Sequence, residues 1–382
     1  MFTGLFKKKG SNTVVGIDIG SSAIKVVQLS EKRGKAVLDT YGALALGPYA
    51  GVEIGQATNL PADKIISALT EILKESKVST NASSIAIPFN STLMTVIELP
   101  SASERHLKNI IPIEAKKYVP VPISEVSLDW SILPKDQVES ESQTTRNESE
   151  KENKEGGAGN DKTEEKAVGE KIKVLIVAIH NDVFGKFKQI IAGAGLESDI
   201  FEVEIFSTLR AVLEPTAEPI MIMDVGAAST KLYVVERGNI ENSHTINRGS
   251  QDITSTISRS LRIPIKEAEI VKRTKGLAFR EDKELGGAIF LTLDHIFAET
   301  AKVIRNYNAK NNQALNKIIL VGGGSSMKGF AEAASANLQV EVLSSDPFSK
   351  VEAPVFVSDV LKNTGPEFAT AVGVALRYLS EQ

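Results

Sequence analysis

The sequence predicts a duplicated α/β fold: two α/β domains of similar plan around a cleft, with an α+β piece inserted in the first half. Three observations carry this reading. "GIDIGSSAIK" (16–25) returns as "IMDVGAASTK" (222–231), 206 positions later. Each copy opens the same succession of strand, charged turn and strand before helical segments follow. A third small-residue cluster, Gly322-Gly323-Gly324, ends an apolar strand in the second half. One Asp-x-Gly hairpin is common in any β-rich chain. Two matching ones, each at the head of a similar series, point to duplication.

In the first half, β-branched and apolar runs predict strands at 14–19, 24–30 and 35–44. A helix is expected at 61–76, after "NLPAD", with Pro61 suited to its first turn. "SSIAIPF" and "LMTVIELP" read as strands. The stretch beginning "SERHLKNIIPIEAKKY" has Leu107, Ile110, Ile111, Ala115 and Tyr118 at helical spacing. Pro112 in its middle predicts a kink or a split. A strand follows at 172–180, then helices near 182–193 and 204–213 with a short strand between them. "GAG" at 193–195 serves as a helix stop. The second half predicts strands at 219–225, 229–236 and 239–247, and helices near 251–260 and 265–275. A long helix over 287–309, a strand at 317–321, a helix from near Met327 and a closing helix, "GPEFATAVGVALRYL", complete the series. The closing helix is apolar on most faces, so it should pack between layers. Domain boundaries follow: 13–83 and 182–217 for the first domain, 84–181 for the insert, 218–350 for the second domain, and 351–382 for the closing segment.

At 382 residues the chain exceeds one ordinary core. It has no cysteine and four histidines, which excludes a disulfide framework, a thiolate metal site and a His-rich centre. No apolar run approaches the roughly 20 residues that cross a bilayer. The start, "MFTGLFKKKG", places apolar residues before lysines, the reverse of a secretory signal, and reads as a frayed tail. Net charge is −4, all of it from residues 135–171, which hold eleven acids against seven bases; the remainder carries 37 of each sign. That segment has almost no aliphatic residues and no aromatics, so it is expected to be a disordered loop, 135–170, within the insert. With no basic face, nucleic-acid binding loses its simplest support.

The chemistry-bearing residues gather at the repeated turns. Gly20, Ser21, Ser22 and their counterparts Gly226 and Ala227 are small enough for backbone amides to approach a polyphosphate. Asp18 and Asp224, too close to phosphate oxygens to touch them, suit the outer shell of Mg²⁺, which keeps its waters. Lys25 would bring a point charge to a phosphate, and Thr230 a hydroxyl on the second loop. The run "KIILVGGGSSMKGF" (317–330) admits a flat ligand or an anion at Gly322, Gly323 and Gly324, with Met327 beyond them. It lacks the Gly-Lys-Ser/Thr of a Walker loop.

This ordered set resembles the actin-like (ribonuclease H-like) ATPase superfamily, which includes actin, Hsp70, sugar kinases and FtsA. The resemblance implies two phosphate loops, an adenosine loop, ATP and Mg²⁺. It further implies that Glu269 and Lys272 of "AEIVKRTKG" lie near ribose and adenine. Glu204, in "EVEIFSTLRAV" (202–212), takes the place of an acid facing the attacking water. A narrower resemblance, to PilM proteins of type IV pilus assembly, rests on residues 98–133. Its matching positions are Pro100, Glu114, Ala115, Tyr118, Pro120, Pro122, Glu125, Val126, Asp129 and Trp130. Pro112 and the long 135–171 stretch depart from that pattern. The PilM resemblance implies a cytoplasmic ATP-binding scaffold that captures the short cytoplasmic tail of the inner-membrane protein PilN. Through it, the scaffold would meet pilus motor components, touch the membrane only indirectly and have the capacity to self-associate. The tail is expected against apolar walls at 43–48 and the strands near 85–99. Two alternatives share the motifs: a small-molecule kinase, disfavoured by the apolar strands and prolines of 85–130, and an FtsA-like filament former. The second is disfavoured because the chain ends at "RYLSEQ" with no amphipathic helix after it.

Overall fold

The computed structural model describes residues 2–3, 11–133, 171–277, 283–311 and 313–381. The expected frayed tail and disordered loop fall almost wholly outside them. The strands are β1 (Phe2–Thr3), β2 (Thr13–Ile19), β3 (Ala23–Lys32), β4 (Lys35–Ala45), β5 (Ala82–Ile87), β6 (Thr92–Pro100), β7 (Val126–Ile132), β8 (Lys171–His180) and β9 (Glu197–Val203). They continue with β10 (Ile220–Val225), β11 (Thr230–Glu236), β12 (Asn239–Ile246), β13 (Lys317–Val321) and β14 (Glu341–Ser344). The helices are α1 (Ala62–Glu75), α2 (Glu104–Ala115), α3 (Asn181–Gly193), α4 (Glu204–Val212) and α5 (Ser250–Leu261). After them come α6 (Ile265–Lys275), α7 (Lys283–Lys310), α8 (Phe330–Leu338) and α9 (Ser358–Ser380).

The chain divides into two units, Asn90–Phe184 and the remainder. In the smaller unit, β8 lies between β6 and β7, antiparallel to both. One face of this sheet is apolar at every second residue, with Ile172, Val174, Ile176 and Ala178 buried. Helix α2 covers it with Leu107, Ile111 and Ala115, all fully buried. Of the kink or split expected at Pro112, the split does not occur: the helix runs on as one element, Glu104–Ala115. A proline inside a helix costs about 3 kcal/mol, and here Leu107, Ile111 and Ala115 anchor both sides of it in the core. The unit begins at Asn90 rather than 84, because β5 belongs to the other unit, paired parallel with β2 and β9.

The larger unit holds two sheets. The first has the order β1-β9-β5-β2-β3-β4 and the second β12-β11-β10-β13-β14. In each, an antiparallel hairpin (β2–β3, β10–β11) is extended by a parallel neighbour of its first strand, β5 or β13. This is the duplicated plan. Helix α9 starts seven residues earlier than the sequence suggested and packs on β2, β3 and α4. Its buried face is built from small residues for a reason: a Cβ on Gly373 would lie 1.8 Å from the Ser207 carbonyl oxygen of α4. The hydroxyls of Thr208 and Thr370 meet at 2.9 Å, beside that contact. Between the same elements, Glu202 is clasped by Arg210 at 2.7 and 2.8 Å and by Arg377 at 2.8 Å. The second sheet's core is Met221, Met223, Leu232 and Val234 against Ile253, Ile257, Leu293, Phe297 and Phe330 from the helices. Strand β14 was not anticipated.

Candidate nucleotide site

The two hairpins repeat each other atom for atom where it matters. Register pairs Asp18 with Lys25 and Asp224 with Lys231. Each lysine ammonium stands 3.6 Å from Oδ2 of its own aspartate. Each turn closes with one hydrogen bond of 3.0 Å, from Gly20 N to the Ala23 carbonyl and from Gly226 N to the Ser229 carbonyl. The side-chain period of a strand is two, so an aspartate and the lysine opposite it share a face.

The third loop leaves β13, which runs parallel to β10, and crosses directly over the second aspartate. Gly322 has φ +83°, and a Cβ there would fall 2.4 Å from Asp224 Oδ1. Gly324 N donates to the Val225 carbonyl at 2.9 Å. Helix α5 starts against the second loop, its Ser250 and Gln251 amides donating to the carbonyls of Gly226 and Ala227. Asp252 caps it by accepting from Gly249 N at 2.9 Å. On the adjoining α6, Glu269 accepts from Thr254 at 2.7 Å and Arg273 at 2.8 Å, and pairs with Lys272 at 2.7 Å. These groups surround one cavity of about 330 Å³, within the range of small-molecule sites.

Of the residues singled out from sequence, Asp18, Gly20, Ser21, Ser22, Lys25, Glu204, Asp224, Gly226, Ala227, Glu269, Lys272, Gly322, Gly323, Gly324 and Met327 line this cavity. Thr230 does not. It is fully buried and its hydroxyl donates to the Arg248 carbonyl at 2.9 Å. Strand alternation gives the reason: Thr230 precedes Lys231, so it points to the opposite face. Lys231 takes the position that the sequence reading left out of its site. Its ammonium is 2.5 Å from Glu204 Oε1, which also accepts from Phe89 N at 2.8 Å. The signal was present in the repeat, since Lys231 stands seven after Asp224 as Lys25 does after Asp18. Segment 46–58 was also missed. Its ends bond the first loop, Leu46 N to Ser22 O and Thr58 N to Ser21 O. Its middle reaches the second half, where Ala57 N meets Gln251 Oε1 at 2.9 Å and Glu53 Oε2 accepts from Lys266 N at 2.8 Å.

Charge in the cavity is crowded. Burial pushes the Asp18 carboxyl up; Lys25 opposes this, and the Asp224 charge adds to it. Burial likewise pushes Glu204 up, against Lys231 and with Asp224. Burial presses the Lys231 ammonium down, but Glu204, Asp224 and Asp18 together hold it above its ordinary value. Burial also works to raise Glu269, yet Lys272, Arg273 and Thr254 keep it below the usual carboxylate range. Two half-buried aspartates on facing hairpins are what a hydrated divalent cation relieves. Among the described residues no three His, Cys, Asp or Glu side chains converge as direct ligands. The two carboxylates of Asp18 and Asp224, each paired with one lysine, suit a magnesium ion that keeps its waters. Gly322 and Gly324 let the third loop lie close on Asp224 and Val225, and Lys25 and Lys272 supply positive charge. The residues present fit a magnesium nucleotide.

A repeated α/β core that brings two acid-tipped hairpins and a glycine loop to one cavity defines the class: this is an actin-like ATPase fold. The sequence model of the family described as type IV pilus assembly protein PilM matches residues 16–147 and 162–379, and the chain belongs to that family. Among solved structures, it is similar to the PilM–PilN type IV pilus biogenesis complex, with TM-score 0.74 and 24% identity, covering 96% of this chain and 98% of that one. Ethanolamine utilization protein EutJ from Carboxydothermus hydrogenoformans matches at TM-score 0.51 and 16% identity, covering 98% and 92%. Cell division protein FtsA of Neisseria meningitidis serogroup B is 24% identical over 226 residues, 53% of each chain. The chain thus spans about half the length of that curated relative.

Proposed function

We propose that this chain binds ATP with Mg²⁺ in the cavity between its two hairpins and serves as a cytoplasmic scaffold of type IV pilus assembly. In that role it captures the short cytoplasmic tail of a PilN-like inner-membrane protein and is held at the membrane through it, within reach of pilus motor components. The observation that carries the nucleotide reading is the exact repetition of register, turn bond and lysine–aspartate distance in two hairpins that line one cavity. The loop amides around Gly20–Ser22 and Gly226–Ala227 would bind phosphate oxygens, with Lys25 adding charge. Asp18 and Asp224 would hold waters of the magnesium ion, which neutralises phosphate charge when bound. Glu269, Lys272 and the 322–324 loop would receive the nucleoside. Membership of the PilM family supports the pilus role, and the PilM–PilN complex names the kind of partner.

Calorimetry of the Asp18→Ala, Asp224→Ala double variant tests the site: Mg-ATP binding is expected to vanish while the protein stays folded, and an unchanged affinity refutes it. For the partner, a peptide carrying the cytoplasmic tail of the PilN-like protein should be retained by the immobilised full chain. No retention with or without Mg-ATP refutes the scaffold reading.

A further inference from the structure

The two hairpins share register and turn bond, but their lysines differ in what else they reach. Lys25 and Lys231 occupy equivalent register positions, and each stands 3.6 Å from its own aspartate. Among the described residues, Lys231 alone of the two goes on to a third group, reaching Glu204 Oε1 at 2.5 Å. Glu204 opens α4 and follows β9 of the first sheet, whereas Lys231 lies on β11 of the second, so this ion pair crosses from one half to the other. The same Oε1 accepts from Phe89 N at 2.8 Å. Glu204 is thus a cavity-lining carboxylate with one oxygen doubly engaged by fixed donors.

We propose that Lys231 is a positioning residue that ties down Glu204 across the two halves and so keeps a bound nucleoside triphosphate from being hydrolysed. The inference rests on the nucleotide reading above. Hydrolysis joins a water oxygen to the terminal phosphorus, breaks the bond from that phosphorus to the bridging oxygen, and sends one water proton to an acceptor. The products are the diphosphate and inorganic phosphate. A carboxylate serves as that acceptor when it is within hydrogen-bond reach of the water and free to take the proton. A charge-assisted bond from an ammonium is about twice as strong as a neutral one, so Lys231 holds Oε1 in place and lowers the affinity of the whole carboxylate for the proton. The cavity is then a holder of triphosphate, and its two halves are bolted together by the pair that disables its base.

The test uses the full chain and Mg-ATP, with two readouts: affinity from a fluorescence titration, and phosphate release. The unsubstituted protein is expected to bind and to release phosphate slowly. At saturating Mg-ATP, Lys231→Thr should release phosphate at least tenfold faster. Adding Glu204→Gln to that variant should remove the gain, and Lys231→Arg, which keeps the ion pair, should stay slow. Lys231→Met, with a stem of similar length, is made alongside, and melting curves show that each variant is folded. Binding retained without faster release overturns the inference and leaves the nucleotide reading intact. A more than tenfold loss of affinity in Lys231→Thr also overturns it, by making Lys231 a phosphate ligand. A gain that survives Glu204→Gln overturns it too. Failure of the unsubstituted protein to bind Mg-ATP overturns both.

Discussion

Gly322 and Gly323 are neighbours in one triplet, and the structure predicts opposite outcomes for the same substitution. Gly322 has φ +83°, and a methyl group there would meet Asp224 Oδ1 at 2.4 Å and the Val225 carbonyl oxygen at 2.7 Å. The left-handed conformation costs an alanine about 1–2 kcal/mol, and overpacking against backbone adds about 1–3 kcal/mol. Gly322→Ala should therefore lose about 2–5 kcal/mol, a fall in Tm on the order of 3–8 °C for a unit of this size. Because the clash is with Asp224 itself, Mg-ATP affinity should fall more than tenfold in whatever fraction stays folded. A methyl group on Gly323 meets nothing closer than Glu367 Oε2 at 3.5 Å, an ordinary contact. Gly323→Ala should melt within about 2 °C of the parent, since substitutions away from such clashes stay within ~0.5 kcal/mol. Differential scanning calorimetry of the two variants decides the matter. Equal melting temperatures would refute the claim that the loop lies over the second aspartate.

Two further outcomes follow from buried charge. Replacing Glu202 by Ala takes the carboxylate from Arg210 and from buried Arg377, which keep the Gly373 carbonyl and Glu381, and should cost about 3 kcal/mol in chemical denaturation. Burial works to raise the Glu202 carboxyl, but Arg210 and Arg377 hold it below the usual range. Its stabilisation is accordingly present above the unfolded carboxylate pKa and is lost as pH falls through the folded one. Asp18 has the opposite sign. Burial lifts its carboxyl, so its contribution is complete below the unfolded pKa and lost as pH rises through the folded one. Asp18→Asn should melt no lower than the parent at pH 8 while Mg-dependent nucleotide binding disappears; a lower Tm at that pH would count against a strained, functional aspartate.

Much of the site could be read along the chain because hairpin geometry is local. Asp18 and Lys25, like Asp224 and Lys231, are joined by a four-residue turn. Once two strands and a tight turn are granted, register alone puts acid and base on one face. The same alternation carries Thr230 to the other face, so its burial was also written in the sequence. Glu269 and Lys272 are three apart on a helix and had to be neighbours. Local pattern also determined the two similar halves and the apolar, small-residue closing helix. Other features depended on contacts between distant segments. Glu204 meets Lys231 only because α4 and β11 converge, and Glu202 meets Arg377 across 175 positions. Segment 46–58 reaches α5 and α6 through Gln251 and Glu53, about 200 residues away in sequence. Nothing in their spacing encodes those pairs. Each is selected when two separately formed surfaces pack and a buried charge or amide must find a partner, so tertiary structure alone decided which carboxylate each cation holds.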